Sequence, residues 1–323
     1  MDVGRDETAG VWLLDVTLHI GAHRTGTTTL QKFLGHNGVA LTRANTAYWG
    51  PDRTRSGLFG GMFRHPAHLS RASMARAIRS TGVIQIGLQR LENAGFDRLI
   101  VSEENMLGGL KDNIRNTSLY SYAADRMEGF RRAFAGRNLT IALSIRSYET
   151  FWASAFAFAL LRGLPVPSEA QLDCLVTQPS RWTSIVEKLI DLYPDARFVV
   201  WPFESFVGHS DKQLALLMPG QTVSNLRQNC LWHNASPSRD KLRRILADRG
   251  DAQEAIKEGS DKWQPFSADH ISAMKDQYAR DLDWFANKAP ASVRFAADPM
   301  SVENLHYDGE GQAKNDWIER CVG

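Results

Sequence analysis

Residues 16–20, Val-Thr-Leu-His-Ile, run directly into residues 21–29, Gly-Ala-His-Arg-Thr-Gly-Thr-Thr-Thr. The apolar run predicts a strand, the glycines a sharp turn, and the threonines the start of a helix over about 27–34. Gly21, four residues, Gly26 and two hydroxyl residues make the frame of a phosphate-binding loop. The nucleotide-triphosphatase form of that loop carries Lys after its second Gly; here Thr27 stands there, and the loop's cation is Arg24. A glycine turn leaves backbone N–H groups pointing inward, and the following helix adds unpaired N–H groups and the positive end of its dipole. Thr27, Thr28 and Thr29 can add hydroxyl donors, and the planar Arg24 fork suits phosphate or sulfate oxygens. A plain turn with a Thr N-cap explains Gly26 and one Thr, but not an Arg between two glycines or three consecutive threonines. The loop is expected to hold an anion other than the β- and γ-phosphates of ATP.

Outward from the loop, strand-like runs at 98–101, 139–145 and 197–201 alternate with helical patterns at 74–78, 83–95, 122–134, 148–161 and 181–192. Short apolar strands separated by helices predict an α/β fold, a P-loop-type and mostly parallel sheet flanked by helices. Residues 50–66 read as a long loop and 163–168 as a linker. Beyond about residue 208 the pattern turns helical and polar, at 239–247, 251–257 and 267–285. The expected organisation is one domain over 1–323, with a cofactor core over about 16–205 and a helical C-terminal part over about 208–298.

The chain has 323 residues and a net charge of +2, so no bulk electrostatic drive toward nucleic acid or membrane is expected. Its longest apolar run, 151–161, is about half of a bilayer span. The N-terminus, Met1-Asp-Val-Gly-Arg-Asp-Glu7, is polar and unlike a secretory signal. Cys174, Cys230 and Cys321 offer neither metal spacing nor a disulfide framework, which suits thiols in a reducing cytoplasm. His65 and His68 are three apart, but no third metal ligand accompanies them.

The run at 139–145 ends in Arg146, and Ser154 follows eight residues later on the next predicted helix. Carboxyl ends of strands are where open α/β sheets bind ligands, so the two can converge on one phosphate. By themselves they equally suit a surface Arg and a small packing Ser. Together with the loop they resemble the sulfotransferases that use 3′-phosphoadenosine 5′-phosphosulfate, in particular the bacterial branch. The resemblance rests on His19-Ile-Gly-Ala-His-Arg-Thr-Gly-Thr-Thr-Thr-Leu-Gln31, and on the spacing of Arg146 and Ser154. It implies that Arg24, Thr25, Gly26, Thr27 and Thr28 hold the 5′-phosphosulfate, with Thr29 and His23 adjoining, and that Arg146 and Ser154 hold the 3′-phosphate. The product nucleotide would be 3′,5′-adenosine bisphosphate, and no metal is called for. The chain departs from the family in carrying Arg24 where Lys is usual. It also has residues 229–239, Asn-Cys-Leu-Trp-His-Asn-Ala-Ser-Pro-Ser-Arg, in place of the cytosolic enzymes' Arg-Lys-Gly loop.

An acceptor hydroxyl must lose a proton, so a base is expected. Glu103 and Glu104 leave the strand at 98–101 at its carboxyl end, and the resemblance points to Glu104 as catalytic base, with Arg24 as the catalytic cation. A helix first-turn carboxylate is the alternative for Glu104. His23 suits contact with a ligand or a brace within the loop. Phe151, Trp152, Phe156 and Phe158 are expected in the core. Arg53, Arg55 and Arg64 point to an anionic or polyhydroxyl acceptor, a carbohydrate or small hydroxyl compound. A P-loop small-molecule kinase and a catalytically silent nucleotide-binding protein are the competing functions.

Overall fold

Strands buried on both faces make the centre of the molecule. The computed structural model describes residues 13–65, 70–221, 223, 225–227 and 235–302. Six strands, β1 (Asp15–His19), β2 (Thr46–Trp49), β3 (Arg98–Ser102), β4 (Asn138–Ile145), β5 (Arg197–Pro202) and β6 (Val293–Phe295), form one sheet in the order β2-β3-β1-β4-β5-β6. Every pairing is parallel, with Leu18 set between Val101 and Ile141. After its first residue β1 is buried throughout, and so are β3 and β5, which is why they are apolar runs and not alternating patterns.

Successive side chains still point to opposite layers. Leu99, Val101, Phe198 and Val200 join one core with the helices Ala123–Ala133, Tyr148–Leu160, Trp182–Leu192 and Ala268–Asn287. Ile100, Val199 and Trp201 join a second core with the helices Thr27–His36 and Ser210–Leu217. The sheet is therefore covered on both sides, as parallel sheets are. Strand order reverses at β1, so the crevice opens at the carboxyl ends of β1, β3 and β4.

The four expected strands form within a residue of their predicted ends, and two further strands extend the sheet at its edges. β2 and β6 have four and three residues, too few to show a periodic pattern. β6 also places a strand inside the stretch expected to be purely helical. The helices predicted at 74–78 and 83–95 are one helix, Arg71–Asn93, with Ser70 Oγ accepting the Ser73 N–H at 3.2 Å as its N-cap. Ser80, which breaks the apolar pattern, is buried and donates to the Gly60 carbonyl at 3.0 Å. Residues 251–257 form only the short 3-10 turn Gln253–Ala255. The C-terminal helix Ala268–Asn287 packs on Tyr148–Leu160 and on Trp182–Leu192, which ties this part to the sheet's helical layer. Among the described residues no helix is long and apolar enough to cross a membrane. The N-terminus to residue 12, Cys230, Cys321 and the tail beyond 302 lie outside the described residues.

His19 closes β1 in the second layer. It is buried, hydrogen-bonds through Nδ1 to Ser102 Oγ at 2.8 Å, and stacks on Trp201 at 5.7 Å. Burial lowers its pKa to about 4, outweighing the upward pull of the Glu104 charge and of a hydrogen bond to the Gly21 backbone. The native state thus refuses a proton that the unfolded chain accepts near pH 6.5. The stability this represents is complete above about pH 6.5 and is lost as pH falls toward 4, a total on the order of 3 kcal/mol. Urea denaturation at pH 7, 6 and 5 is expected to show that loss, and His19→Gln should flatten it.

Candidate functional site

Three strand ends supply the site. After β1 the chain stays paired with β4: Ile20 N–H donates to Ala142 O at 3.0 Å, and Ala22 N–H to Ser144 O at 3.1 Å. Gly21 has φ +108, and a Cβ there would stand 2.9 Å from the Glu104 Cβ. Only glycine lets the loop pass the end of β3. Arg24 and Gly26 both have positive φ, and the helix Thr27–His36 begins at once.

The hydroxyls of Thr25 and Thr27 are turned inward. Both donate to the Ala22 carbonyl, at 2.7 and 2.8 Å, and both residues are buried. They lock the turn, and the Thr27 hydroxyl, expected to donate to an anion, donates to the loop's own carbonyl. Thr28 lines the cleft and Thr29 does not. The N–H groups of Gly26 and Thr27, which line the cleft, donate to no other group among the described residues. These are the unsatisfied donors that make a helix start attractive to anions.

The end of β4 contributes Arg146. Its Nη1 donates to the Arg24 carbonyl at 2.6 Å, its Nε to Thr150 Oγ1 at 3.1 Å, and its guanidinium lies 4.6 Å over the Phe203 ring. Among the described residues it makes no ion pair within 4.0 Å. Ser154, on the helix Tyr148–Leu160, accepts from Arg24 Nε at 2.9 Å and shares a 2.8 Å hydrogen bond with Ser236 Oγ. Arg24 Nη2 also reaches Ser236 Oγ, at 3.3 Å. The loop cation and the Arg146–Ser154 pair, which the sequence placed on two different phosphates, thus form a single cluster. The reason is Arg24 itself, whose long planar side chain spans from the loop to the Ser154 helix.

A third guanidinium joins them. Arg24 and Arg162 both lie over the Phe158 ring, at 4.9 and 3.7 Å. Burial, then the charges of Arg146 and Arg162, push the Arg24 pKa down to about 10. Burial also lowers Arg146. Phe158 is only half-buried and lines the cleft, unlike Phe151, Trp152 and Phe156, which are core as expected. Sequence reasoning missed Phe158, Arg162, Phe203 and Ser236. Ser236 was in sight as part of 229–239, of which residues 229–234 lie outside the described residues.

At the end of β3 two adjacent carboxylates diverge. Glu103 is fully buried and saturated: it accepts from Thr54 Oγ1 at 2.6 Å, from Arg55 Nε and Nη2 at 2.9 and 2.8 Å, and from Asn105 Nδ2 at 2.6 Å. It anchors the stretch expected to be a long loop, whose residues 51–58 wind into Pro51–Arg53 and a π-helical turn, Thr54–Leu58. Glu104 faces the cleft and accepts from Gln31 Nε2 and Arg55 Nη2, both at 2.9 Å. Burial alone would raise its pKa, but His23, Arg55, a backbone N–H and Gln31 outweigh it and hold the carboxyl below its ordinary range. Arg55, expected to meet an acceptor, is engaged by these two carboxylates. Arg53 covers the Trp49 ring at 4.4 Å, and Arg64 is exposed outside the cleft.

His23 braces the loop and faces the cleft. Its backbone N–H donates to the Tyr120 hydroxyl at 2.9 Å, its Nδ1 contacts the same oxygen at 2.9 Å, and the residue lines the cleft. Burial lowers its pKa. His65 lies 3.5 Å from the Asp125 carboxylate, away from the cleft, and His68 is outside the described residues. The cleft has a volume of ≈ 1670 Å³ and joins the arginine cluster to Glu104.

No known protein-family model matches this chain, and no curated protein matches it. The chemistry of the cleft therefore rests on its own geometry.

Gly21→Ala is expected to destabilise the protein by about 1–3 kcal/mol, because the turn needs positive φ and has no room for a methyl. Gly35→Ala, in the helix Thr27–His36 with open space around it, should be neutral or stabilising by up to ~1 kcal/mol. Urea midpoints of the two variants check the contrast.

Proposed function

We propose that this protein is a sulfotransferase that moves a sulfuryl group from 3′-phosphoadenosine 5′-phosphosulfate to an acceptor hydroxyl. The observation that carries this reading is the arginine cluster. Arg24, Arg146 and Arg162 crowd one wall of the cleft with Ser154 and the open N–H groups of Gly26 and Thr27, and the cleft extends to Glu104. Like charges held together, with Arg24 and Arg146 half-buried, repel one another, and a multiply charged anion relieves that repulsion. A cleft of ≈ 1670 Å³ exceeds the ~300–1,000 Å³ of a single-ligand pocket and leaves room for donor and acceptor together.

In this reading the acceptor oxygen attacks sulfur in line as the bond from sulfur to the phosphate oxygen breaks. Negative charge gathers on the leaving phosphate, where Arg24 and the loop N–H groups oppose it. The hydroxyl grows more acidic as its bond to sulfur forms, and its proton passes to Glu104. A carboxylate held ionised by Arg55 and Gln31 is unprotonated at neutral pH and so can take that proton. No step calls for a metal ion. The acceptor, a carbohydrate or small hydroxyl compound, would enter on the side of Glu104, past Tyr48 and Arg53. The kinase alternative is disfavoured by Thr27, which stands in the lysine position with its hydroxyl turned to the Ala22 carbonyl.

Calorimetry is expected to detect micromolar or tighter binding of 3′,5′-adenosine bisphosphate without magnesium, and absence of binding would sink the proposal. Arg146→Ala should weaken that binding by about tenfold or more, on the scale of a charge-assisted hydrogen bond, and weaken AMP much less. Glu104→Gln should leave bisphosphate affinity intact while lowering kcat by about 10²–10⁴. Magnesium-dependent ATP turnover would instead favour a kinase, and bisphosphate binding with no transfer to a broad acceptor panel a silent nucleotide-binding protein.

A further inference from the structure

The anion site has a carboxylate beside it, and the fold holds that carboxylate back. Glu204 lines the same cleft as Arg146 and directly follows Phe203, whose ring the Arg146 guanidinium covers at 4.6 Å. Its charge acts on Arg146. Yet the two make no ion pair within 4.0 Å among the described residues. Both oxygens of Glu204 are held elsewhere. Oε1 accepts the Ser147 backbone N–H at 2.9 Å, and Oε2 accepts the Tyr278 hydroxyl at 3.0 Å. The other carboxylate near Arg146, Glu149, is buried and accepts the Ser147 hydroxyl.

We propose that Tyr278 is a positioning residue for the anion site: by holding Glu204 it prevents an internal ion pair and leaves Arg146 to bind the ligand's phosphate. Glu204 is exposed, and these two hydrogen bonds set its direction. An exposed carboxylate released next to a half-buried arginine would pair with it and compete with any anion. Tyr278 is well placed for the task. It is buried on the C-terminal helix Ala268–Asn287, its ring packed edge-on against Tyr148 at 6.2 Å. One turn further along that helix, Asp281 accepts from the Tyr148 hydroxyl. That hydroxyl accepts the Trp182 N–H at 2.9 Å, and Trp182 Nε1 donates to the Arg146 carbonyl at 2.8 Å. One face of a C-terminal helix thus fixes both the backbone that carries Arg146 and the carboxylate that could neutralise it.

The inference rests on the reading of this cleft as an anion site, and the test separates the two. The probe is 3′,5′-adenosine bisphosphate, titrated calorimetrically into wild type, Tyr278→Phe, Glu204→Gln, the double variant and Glu204→Asp. Tyr278→Phe keeps the ring and loses only the hydroxyl, and its affinity should fall by about tenfold, the scale of one ionic competitor. Glu204→Gln should bind at least as tightly as wild type, and the double variant should return to within about twofold of it. Glu204→Asp, too short to reach both Ser147 and Tyr278, should show the loss without disturbing the interior, so the question is answered even if Tyr278→Phe does not fold. Unchanged affinity in both Tyr278→Phe and Glu204→Asp would overturn the inference. So would a loss in Tyr278→Phe that Glu204→Gln fails to restore, since a purely structural defect would not be rescued by removing a charge. Failure of the wild type to bind would overturn the reading of the cleft itself.

Discussion

Everything at the cleft depends on how the turn after β1 is locked between its two neighbouring strands. The Ala22 carbonyl receives the hydroxyls of Thr25 and Thr27, while the Ala22 N–H is held by Ser144 on β4. Gly21 presses against Glu104 at the end of β3 with no Cβ to obstruct it. One peptide unit is thereby fixed from above and from the side. With it are fixed the direction of the helix Thr27–His36 and the open N–H groups at its start. Side-chain hydroxyls that satisfy a loop carbonyl are themselves unavailable as donors to a ligand, so the loop's remaining donors are its backbone N–H groups and the Arg24 guanidinium.

Arg24 then converts a local loop into a long-range contact. Its carbonyl is held by Arg146 and its guanidinium reaches Ser154 and Ser236, so residues 24, 146, 154 and 236 are joined in one network. A lysine in the same place would offer a single compact ammonium instead of the planar fork whose Nε and Nη2 reach Ser154 and Ser236 separately. The arrangement concentrates positive charge where burial already disfavours it, which is what depresses the Arg24 pKa. Glu204 lines the same cleft, but Ser147 and Tyr278 hold its carboxylate, and among the described residues it makes no ion pair with Arg146.

The two glutamates at the end of β3 illustrate how neighbours in sequence part in function. Glu103 is directed inward, where Thr54, Arg55 and Asn105 saturate it, and it holds the turn Thr54–Leu58 against the end of β3. Glu104 is directed to the cleft and keeps its charge through Gln31 and Arg55. Arg55 bridges both, so the segment that closes one side of the cleft and the carboxylate within it are set by the same guanidinium.

The sequence by itself determined the α/β class, the four inner strands and the turn at Gly21–Gly26, because these follow from local rules. Buried parallel strands must be apolar throughout, and a strand-to-helix turn at positive φ must carry glycine. It also marked Arg146 and Glu104 at or just beyond strand ends, and Ser154 on the helix that follows Arg146. It could not show the edge strands β2 and β6, whose three or four residues carry no period. Nor could it show that Thr25 and Thr27 face inward, or that Arg55 belongs to Glu103 and Glu104. Only the tertiary structure decided that Arg24 lies with Ser154, 130 residues away, and that Tyr278 reaches Glu204 across 74. Those contacts join elements whose approach is set by packing across the whole sheet, and no local pattern in the chain records it.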